Sequence, residues 1–419
     1  MKTQLAIAAA LFLWGLAALP APAQEKTQEK TPRVAVIATV WHHNAHADVI
    51  AGRLLEGQTL DGQGAFPKLK LASLYVDQFP QGDKSRKLAA KHGVPIYDTV
   101  AQALTLGGEK LAVDGVLLIA EHGDYDESPT GSIQYPKRRL FGEIVKVFEA
   151  SGRVVPVFCD KHLEDDQADI AWFWQEKERL KIPLMAGSSL PTLWRYPAAD
   201  VRLGEPLKEI VAVSYHRLDA YGFHALEMVQ CLAERRQGGE SGVKQVRCLT
   251  GEAVWQAGRD GLYDQKLLAE ALGRLKERPL AADASLPALV KEPTLFVIDY
   301  NDGLRASILT LNGAVGEWTV AWRYGDGSSE STCFWTQEAR PFMHFAYLLD
   351  GVEKMIHTGQ PTWPPERTLL TSGLLDALLV SKKDGGKPVA TPQLGIRYQP
   401  THAWAMPPAP PPGRPIPGQ

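Results

Sequence analysis

Residues 33–50 read RVAVIATVWHHNAHADVI. The apolar, β-branched run from Val34 to Val40 predicts a buried strand. A loop with His42, His43 and His46 follows, and Ala47–Leu55 then carries the apolar spacing of a helix. A strand feeding a helix near the start of a chain is where nucleotide-binding α/β folds place a glycine turn, because only glycine lets the backbone approach a phosphate closely. The turn here has no glycine and is rich in histidine.

The pattern begun there continues. Strands are expected at Leu69–Val76, Pro95–Tyr97, Gly115–Ala120, Val154–Phe158 and Ile182–Ala186. Helices are expected at Lys84–His92, Val100–Leu104, Phe141–Ala150 and Ala168–Leu180. Strands apolar on both faces and separated by helices imply a parallel sheet covered on both sides, in a Rossmann-like doubly wound α/β domain. After a helix at His224–Arg236 strands dominate: Gln245–Leu249, Thr294–Asp299, Arg305–Leu311, Val320–Tyr324 and Ser331–Trp335. Helices at Pro341–His357 and Leu369–Val380 close this second, α+β domain, whose large sheet should be mostly antiparallel and open.

The ends read differently. Residues 1–23 have a basic start at Lys2, an apolar run from Leu5 to Leu19 and a small-residue Ala21-Pro22-Ala23 site, the form of a Sec-type signal peptide. That run is short for a membrane span, and neither a twin arginine nor a lipid-anchoring cysteine stands with it. The expectation is an exported chain, periplasmic or extracellular, with no stable membrane anchor once the signal is removed. Residues 24–32 form a polar linker, 33–195 the Rossmann-like domain, 196–395 the α+β domain and 396–419 a Pro-rich, polyproline-like tail with no function of its own. The chain has 419 residues, 45% hydrophobic and 22% charged, with a formal charge of −3. That is ordinary globular composition, and no basic excess points to nucleic acid. Cys159, Cys231, Cys248 and Cys333 have neither metal-site nor disulfide-scaffold spacing. Buried thiols are expected, with a Cys231–Cys248 bridge as the alternative.

In a doubly wound sheet, ligands meet the residues just after each strand. In order these are 41–46, Asp77, Glu121-His122-Gly123-Asp124 and Asp160-Lys161-His162. An acid ending the second strand is where a dinucleotide ribose is held, although acids also end strands as turn formers. Histidines 42, 43, 46, 122, 162 and 224, with Asp124 and Asp160, offer a divalent metal such as zinc an alternative role at this edge. Trp255, Asp299, Arg305 and Trp335 would suit a saccharide surface or, for the aromatics, the core.

The order of motifs resembles the Gfo/Idh/MocA oxidoreductases. VFCDKHL (157–163) is similar to the signature VLCEKPL, with Lys161 at the motif lysine. LASLYVDQFPQGDKSRKLAAKHGVPIYDTVAQAL (71–104), VDGVLLIAEHG (113–123) and LGEPLKEIVAVS (203–214) match further passages. DAYGFH (219–224) resembles D-x-G-x-H, with His224 at the histidine, and the passage from His344 to Val389 resembles the closing pattern. The resemblance spans about residues 33 to 395. It implies NAD(P) on the first domain, touched by the residues at positions 38, 40, 43, 77, 121 and 122. It also implies a sugar or polyol derivative between the domains, and self-association through the second sheet. Lys161, His224 and Asp160 would be the catalytic set: Lys161 holds the substrate hydroxyl and His224 is its acid/base, since imidazole titrates near neutrality. His46 would be a packing residue.

The departures fall on the cofactor side. Ala38, Val40 and His43 stand at the three glycine positions, Glu121-His122 replaces Thr-Pro, and His162 replaces the motif proline. Asp219 lies one place off the motif acid, where Ala220 stands. The expectation is therefore an oxidoreductase-related protein that acts on or binds a sugar or polyol derivative. The alternatives are a cofactor-free carbohydrate-binding protein, or a metal-assisted hydrolase or lyase on the same fold.

Overall fold

The computed structural model describes residues 31–414 except residue 282. The expected signal peptide, most of the linker and the last five residues of the tail lie outside the described residues.

The first sheet is parallel, with strand order β2-β1-β3-β4-β5. Its strands are β1 (Arg33–Ala38), β2 (Lys70–Val76), β3 (Gly115–Ile119), β4 (Val157–Asp160) and β5 (Leu184–Gly187). All residues of β3, β4 and β5 are buried, as expected when helices cover both faces. Between β1 and β2 lie α1 (His46–Val49) and α2 (Arg53–Glu56). Then come α3 (Ser85–His92), α4 (Val100–Thr105), α5 (Lys137–Ser151) and α6 (Gln167–Leu180). The one helix predicted over 47–55 is broken in two. Arg53 Nε donates to Val49 O, a carbonyl released at the break, at 2.7 Å, and its Nη2 ties the break to Pro341 O and Phe342 O. Of the strand predicted at 95–97, only a single bridge from Ile96 to Leu74 forms.

The chain leaves the first sheet after Gly187 and enters the second at β6 (Trp194–Tyr196), followed by β7 (Leu207–Ser214) and α7 (Phe223–Ala233). Next come β8 (Val243–Thr250), α8 (Glu252–Arg259), α9 (Gln265–Leu272) and α10 (Leu286–Leu289). Strands β9 (Thr294–Tyr300), β10 (Arg305–Thr310), β11 (Trp318–Tyr324) and β12 (Ser329–Trp335) lead to α11 (His344–Thr358), α12 (Pro365–Lys383) and β13 (Val389–Ala390). The sheet order is β13-β8-β9-β10-β7-β11-β12-β6, antiparallel except for β10 beside β7. One face packs on α7 and α12. On the other, Trp255, Leu267, Leu268 and Ala271 of α8 and α9 cover Val211, Val297, Leu309 and Ala321. Helices of the same chain thus cover part of this second face. Sequence reading left that helical stretch unassigned. Helix α11 reaches back to the first sheet, where Leu348, Val352 and Met355 pack with Val34, Val36 and Leu74.

The tail is not free. Polyproline-type backbone makes no internal hydrogen bonds, so its carbonyls can accept from elsewhere. Pro408 O accepts from Trp194 Nε1 at 2.8 Å and Pro411 O from Gln337 Nε2 at 2.6 Å. Trp404 donates to Leu193 O and stacks on Arg195, and Arg414 pairs with Asp61 at 3.0 Å. The segment is a strap running from the second sheet back to the first. All four cysteines are buried and unpaired, Cys231 and Cys248 included. No helix among the described residues is long and apolar enough to cross a membrane.

Candidate functional site

At the carboxyl edge of the first sheet a cleft of about 320 Å³ opens toward the second sheet. Its polar centre is Lys161, at the end of β4. This residue has φ +60°, a left-handed conformation that a lysine adopts only under constraint, and it makes two backbone bonds with Gly187 at the end of β5. Lys161 Nζ lies 3.0 Å from Glu121 Oε2, and Lys137 Nζ of α5 lies 2.9 Å from Glu121 Oε1. Burial opposes the charge on Glu121, but Lys137 and Lys161 overcome it and hold its carboxyl well below the usual range. Burial likewise opposes the Lys161 charge, and Glu121 and Asp160 reverse that, so its pKa is raised and the ammonium persists. His122, next to Glu121, has φ +65° and lines the same cleft. Two strained, non-glycine residues thus end neighbouring strands at one site, a pattern that accompanies function.

The second domain supplies His224 at the start of α7. Its Nδ1 lies 2.6 Å from Ser188 Oγ, just beyond β5. Ser188 N donates to Glu227 Oε2, one turn further along α7, and Thr368 and Thr371 donate to the other carboxylate oxygen. Gly187 is required here. With φ +114°, its missing Cβ would stand 2.5 Å from Glu227 Oε2 and 2.7 Å from Thr368 Oγ1. Burial, with Lys161 and His46 nearby, lowers the pKa of His224 well below its ordinary value, so the imidazole is neutral near pH 7. Burial also takes His122 and His344, another lining residue, down to about 3. His46 Nδ1 meets Asp160 Oδ2 at 2.5 Å, with Asp160 nearly inaccessible at the end of β4.

The turn before α7 is π-helical over Leu218–Gly222, with Gly222 N bonded to Arg217 O five residues back. The wider turn takes up an extra residue. Asp219, one place off the motif in sequence, therefore lines the cleft, paired with Arg217 at 2.8 Å. Tyr221 stacks on Trp318, with ring centroids 5.3 Å apart and planes 19° from parallel, and both rings border the cleft. Such rings suit the C–H faces of a sugar.

Of the residues singled out from sequence, His46, His122, Lys161, Asp219 and His224 line the cleft, and Glu121 and Asp160 stand behind it, bonded to Lys161 and His46. Ala38 and Val40 are instead buried in the core and His43 is exposed at the surface. Asp77 has both carboxylate oxygens engaged. Tyr75 OH and Arg139 bind Oδ1, and Tyr125 OH, from the long loop after β3, binds Oδ2 at 2.8 Å. The same loop is pinned to Gln78 by two bonds of 2.9 Å.

The first turn tests the dinucleotide directly. Helix α1 has four residues, and its N-terminal side already holds an anion. The Asp48 carboxylate accepts from Asn44 N, Lys84 Nζ and Arg340 Nη1 at 3.0, 2.6 and 2.8 Å. Trp41 O and Thr39 O accept from Lys84 N and Gln78 N, which ties the turn down over the end of β2. A pyrophosphate needs open amides at a helix start, and these residues do not fit one. Nor does a metal centre form: among the described residues no three His, Cys, Asp or Glu side chains are placed to hold an ion. His162 is turned away against Phe223, and His42 packs near His122 with ring centroids 5.6 Å apart.

Trp255, Asp299, Arg305 and Trp335 do not gather at this cleft. Trp255 is core, Arg305 pairs with Asp299 at 2.7 Å, and Trp335 packs by Trp194. Sequence reading missed Lys137, Ser188, Glu227, Tyr221, Trp318 and His344. Only Ser188, just after a predicted strand, carried a positional signal.

Solved structures share this architecture. GenD2 from gentamicin A biosynthesis, in complex with NAD, superposes with a TM-score of 0.54 at 14% identity, over 86% of this chain and 96% of that one. A probable dehydrogenase from Thermotoga maritima gives 0.53 at 15%, over 86% and 99%. A myo-inositol dehydrogenase from Corynebacterium glutamicum gives 0.52 at 14%, over 86% and 99%. The fold is that of the Gfo/Idh/MocA dehydrogenases. At this identity the likeness is one of fold, and it leaves the chemistry to the residues. No model of a known protein family and no curated protein matches the sequence.

Proposed function

We propose that this chain takes a sugar or polyol derivative into the cleft between its two sheets, without NAD(P) in the groove the Gfo/Idh/MocA fold uses for it. The observation that carries the reading is the meeting of Lys161 and His224 in one cleft beside the stacked Tyr221–Trp318 pair. An ammonium and neutral imidazoles offer donors and acceptors to hydroxyl groups, and the rings offer an apolar face. The folds it shares with inositol dehydrogenases point the same way. Asp48 at the first turn and Tyr125 on Asp77 argue against the dinucleotide. A dehydrogenase reading is favoured by the NAD found in GenD2, so both readings go into one test.

The test is a thermal-shift and calorimetric screen of inositols, hexoses and their keto and carboxylate derivatives, with NADH fluorescence titrated alongside. The expected result is stabilisation by at least one polyhydroxylated compound, weakened tenfold or more in Lys161→Met. NADH should give no saturable signal below millimolar. Micromolar NADH binding would overturn the cofactor-free reading, and no response to any polyol would overturn the ligand class. Export is part of the proposal and rests on residues 1–23. A mature protein beginning at Gln24 in the extracytoplasmic fraction is the expected finding, and an intact start in the cytosol would refute it.

A further inference from the structure

Two imidazoles border the cleft with one ring nitrogen already held by the protein. His224 is held through Ser188 at 2.6 Å and His46 through Asp160 at 2.5 Å. Neither Nε2 has a protein partner among the described residues, and neither is buried and left unsatisfied. An imidazole fixed at Nδ1 by a carboxylate or hydroxyl and open at Nε2 is oriented for proton transfer. The two come from different layers, His46 after the first strand and His224 from the second domain. Both line the same cleft. The Lys161 ammonium faces the same space.

We infer that His46 and His224 are the two acid/base groups of a cofactor-independent proton transfer at a hydroxyl-bearing carbon beside a carbonyl, on a keto sugar or keto polyol. The inference rests on the ligand class proposed above. In the step, neutral His224 Nε2 removes the proton from that carbon. The C–H electron pair becomes the carbon–carbon double bond of an enediolate, and the carbonyl π pair moves to oxygen, where Lys161 donates a hydrogen bond. His46, held at Nδ1 by Asp160, gives a proton from Nε2 to the same carbon from the other side, and the double bond reverts to the carbonyl. The product is the epimer. Nothing is oxidised or reduced, and the two imidazoles reset by exchange with water. His46 and His224 are catalytic residues, and Asp160 is a positioning residue that acts through His46.

The test is proton NMR in D2O, without nucleotide, on D-fructose, D-tagatose, L-sorbose and a keto-inositol, with saturation-transfer difference spectra recording binding in the same tubes. The expected result is loss of the proton signal beside the carbonyl of at least one bound compound, with deuterium in its place. His46→Asn and His224→Asn should each slow exchange about 10²–10⁴-fold, with binding kept within tenfold. Asp160→Asn should slow it less and move the pH dependence of exchange. This serves as the second variant if His46→Asn fails to fold by circular dichroism. Binding without exchange refutes the proton transfer and leaves the ligand class standing. No binding refutes the ligand class itself. Exchange unchanged in the His46 and Asp160 variants, or appearing only when NAD is added, overturns the assignment.

Discussion

Removing Lys137 should cost far more stability than removing Lys161, although the two lysines share one carboxylate. Lys137 Nζ has three acceptors: Glu121 Oε1 at 2.9 Å, Asp160 O at 3.2 Å and His162 O at 2.7 Å. It is 1% exposed, so no water replaces it. Glu121 would keep Lys161, but its Oε1 and two buried carbonyls would each lose their donor, at about 1–3 kcal/mol apiece. Lys137→Met is therefore expected to lose about 3–9 kcal/mol, which reaches the whole stability of many domains. Lys161 Nζ has Glu121 alone at 3.0 Å, and its end borders the cleft, where solvent enters. Lys161→Met leaves Glu121 paired with Lys137 and should lose about 1–3 kcal/mol. The assay is urea denaturation at pH 7 with linear extrapolation, and Lys137→Met/Glu121→Gln completes the cycle. Losses in the single variants should exceed the loss in the double by about 2 kcal/mol or more. A loss below about 1 kcal/mol in Lys137→Met, or an equal loss in Lys161→Met, would refute the reasoning.

Gly187→Ala should destabilise by at least about 2 kcal/mol, because φ +114° and the close Glu227 and Thr368 oxygens leave no room for a Cβ; an unchanged melting curve would count against it. Burial holds His344 near a pKa of 3, so its folded-state pKa lies below the unfolded value of 6.5. Its contribution is complete above pH 6.5 and fades as pH falls toward 3, by about 1.4 kcal/mol per pH unit. Glu164, pushed by burial up to about 8, acts in the opposite sense, losing stability as pH rises from about 4.5 to 8. Between pH 5 and 6.5 the slope of the urea midpoint against pH should thus shift downward in His344→Asn and upward in Glu164→Gln relative to the parent, and parallel slopes in all three proteins would exclude this account. Trp404→Ala should lose about 1–3 kcal/mol and speed proteolysis within 400–414, since Trp404 holds the strap through Arg195 and Leu193 O; unchanged cleavage would mean the strap is held elsewhere.

The elements were legible wherever local pattern and burial agree. The buried apolar runs of β3, β4 and β5 could only be parallel strands covered on both faces, and Lys161 and His224 could be placed at the ligand edge because strand ends mark it. Reading failed where a distant partner decides. The split between α1 and α2 depends on Arg53 reaching carbonyls of residues 341 and 342, nearly three hundred positions away. The prolines of the tail give no periodicity from which a docked strap could be read.

By itself, then, the sequence determined the two sheets and the loss of the glycine turn, because alternation of strand and helix and the identity of single turn residues are local properties. Only the tertiary structure decided what replaced the phosphate cradle: Asp48, drawn inward by Lys84 from the β2–α3 loop and by Arg340 from beyond the second sheet. It alone seated Lys137 and Lys161 on one buried Glu121, and set His46 on Asp160 and His224 on Ser188. A buried charge or imidazole takes its state from whatever other segments bring to it, and no local pattern carries that information.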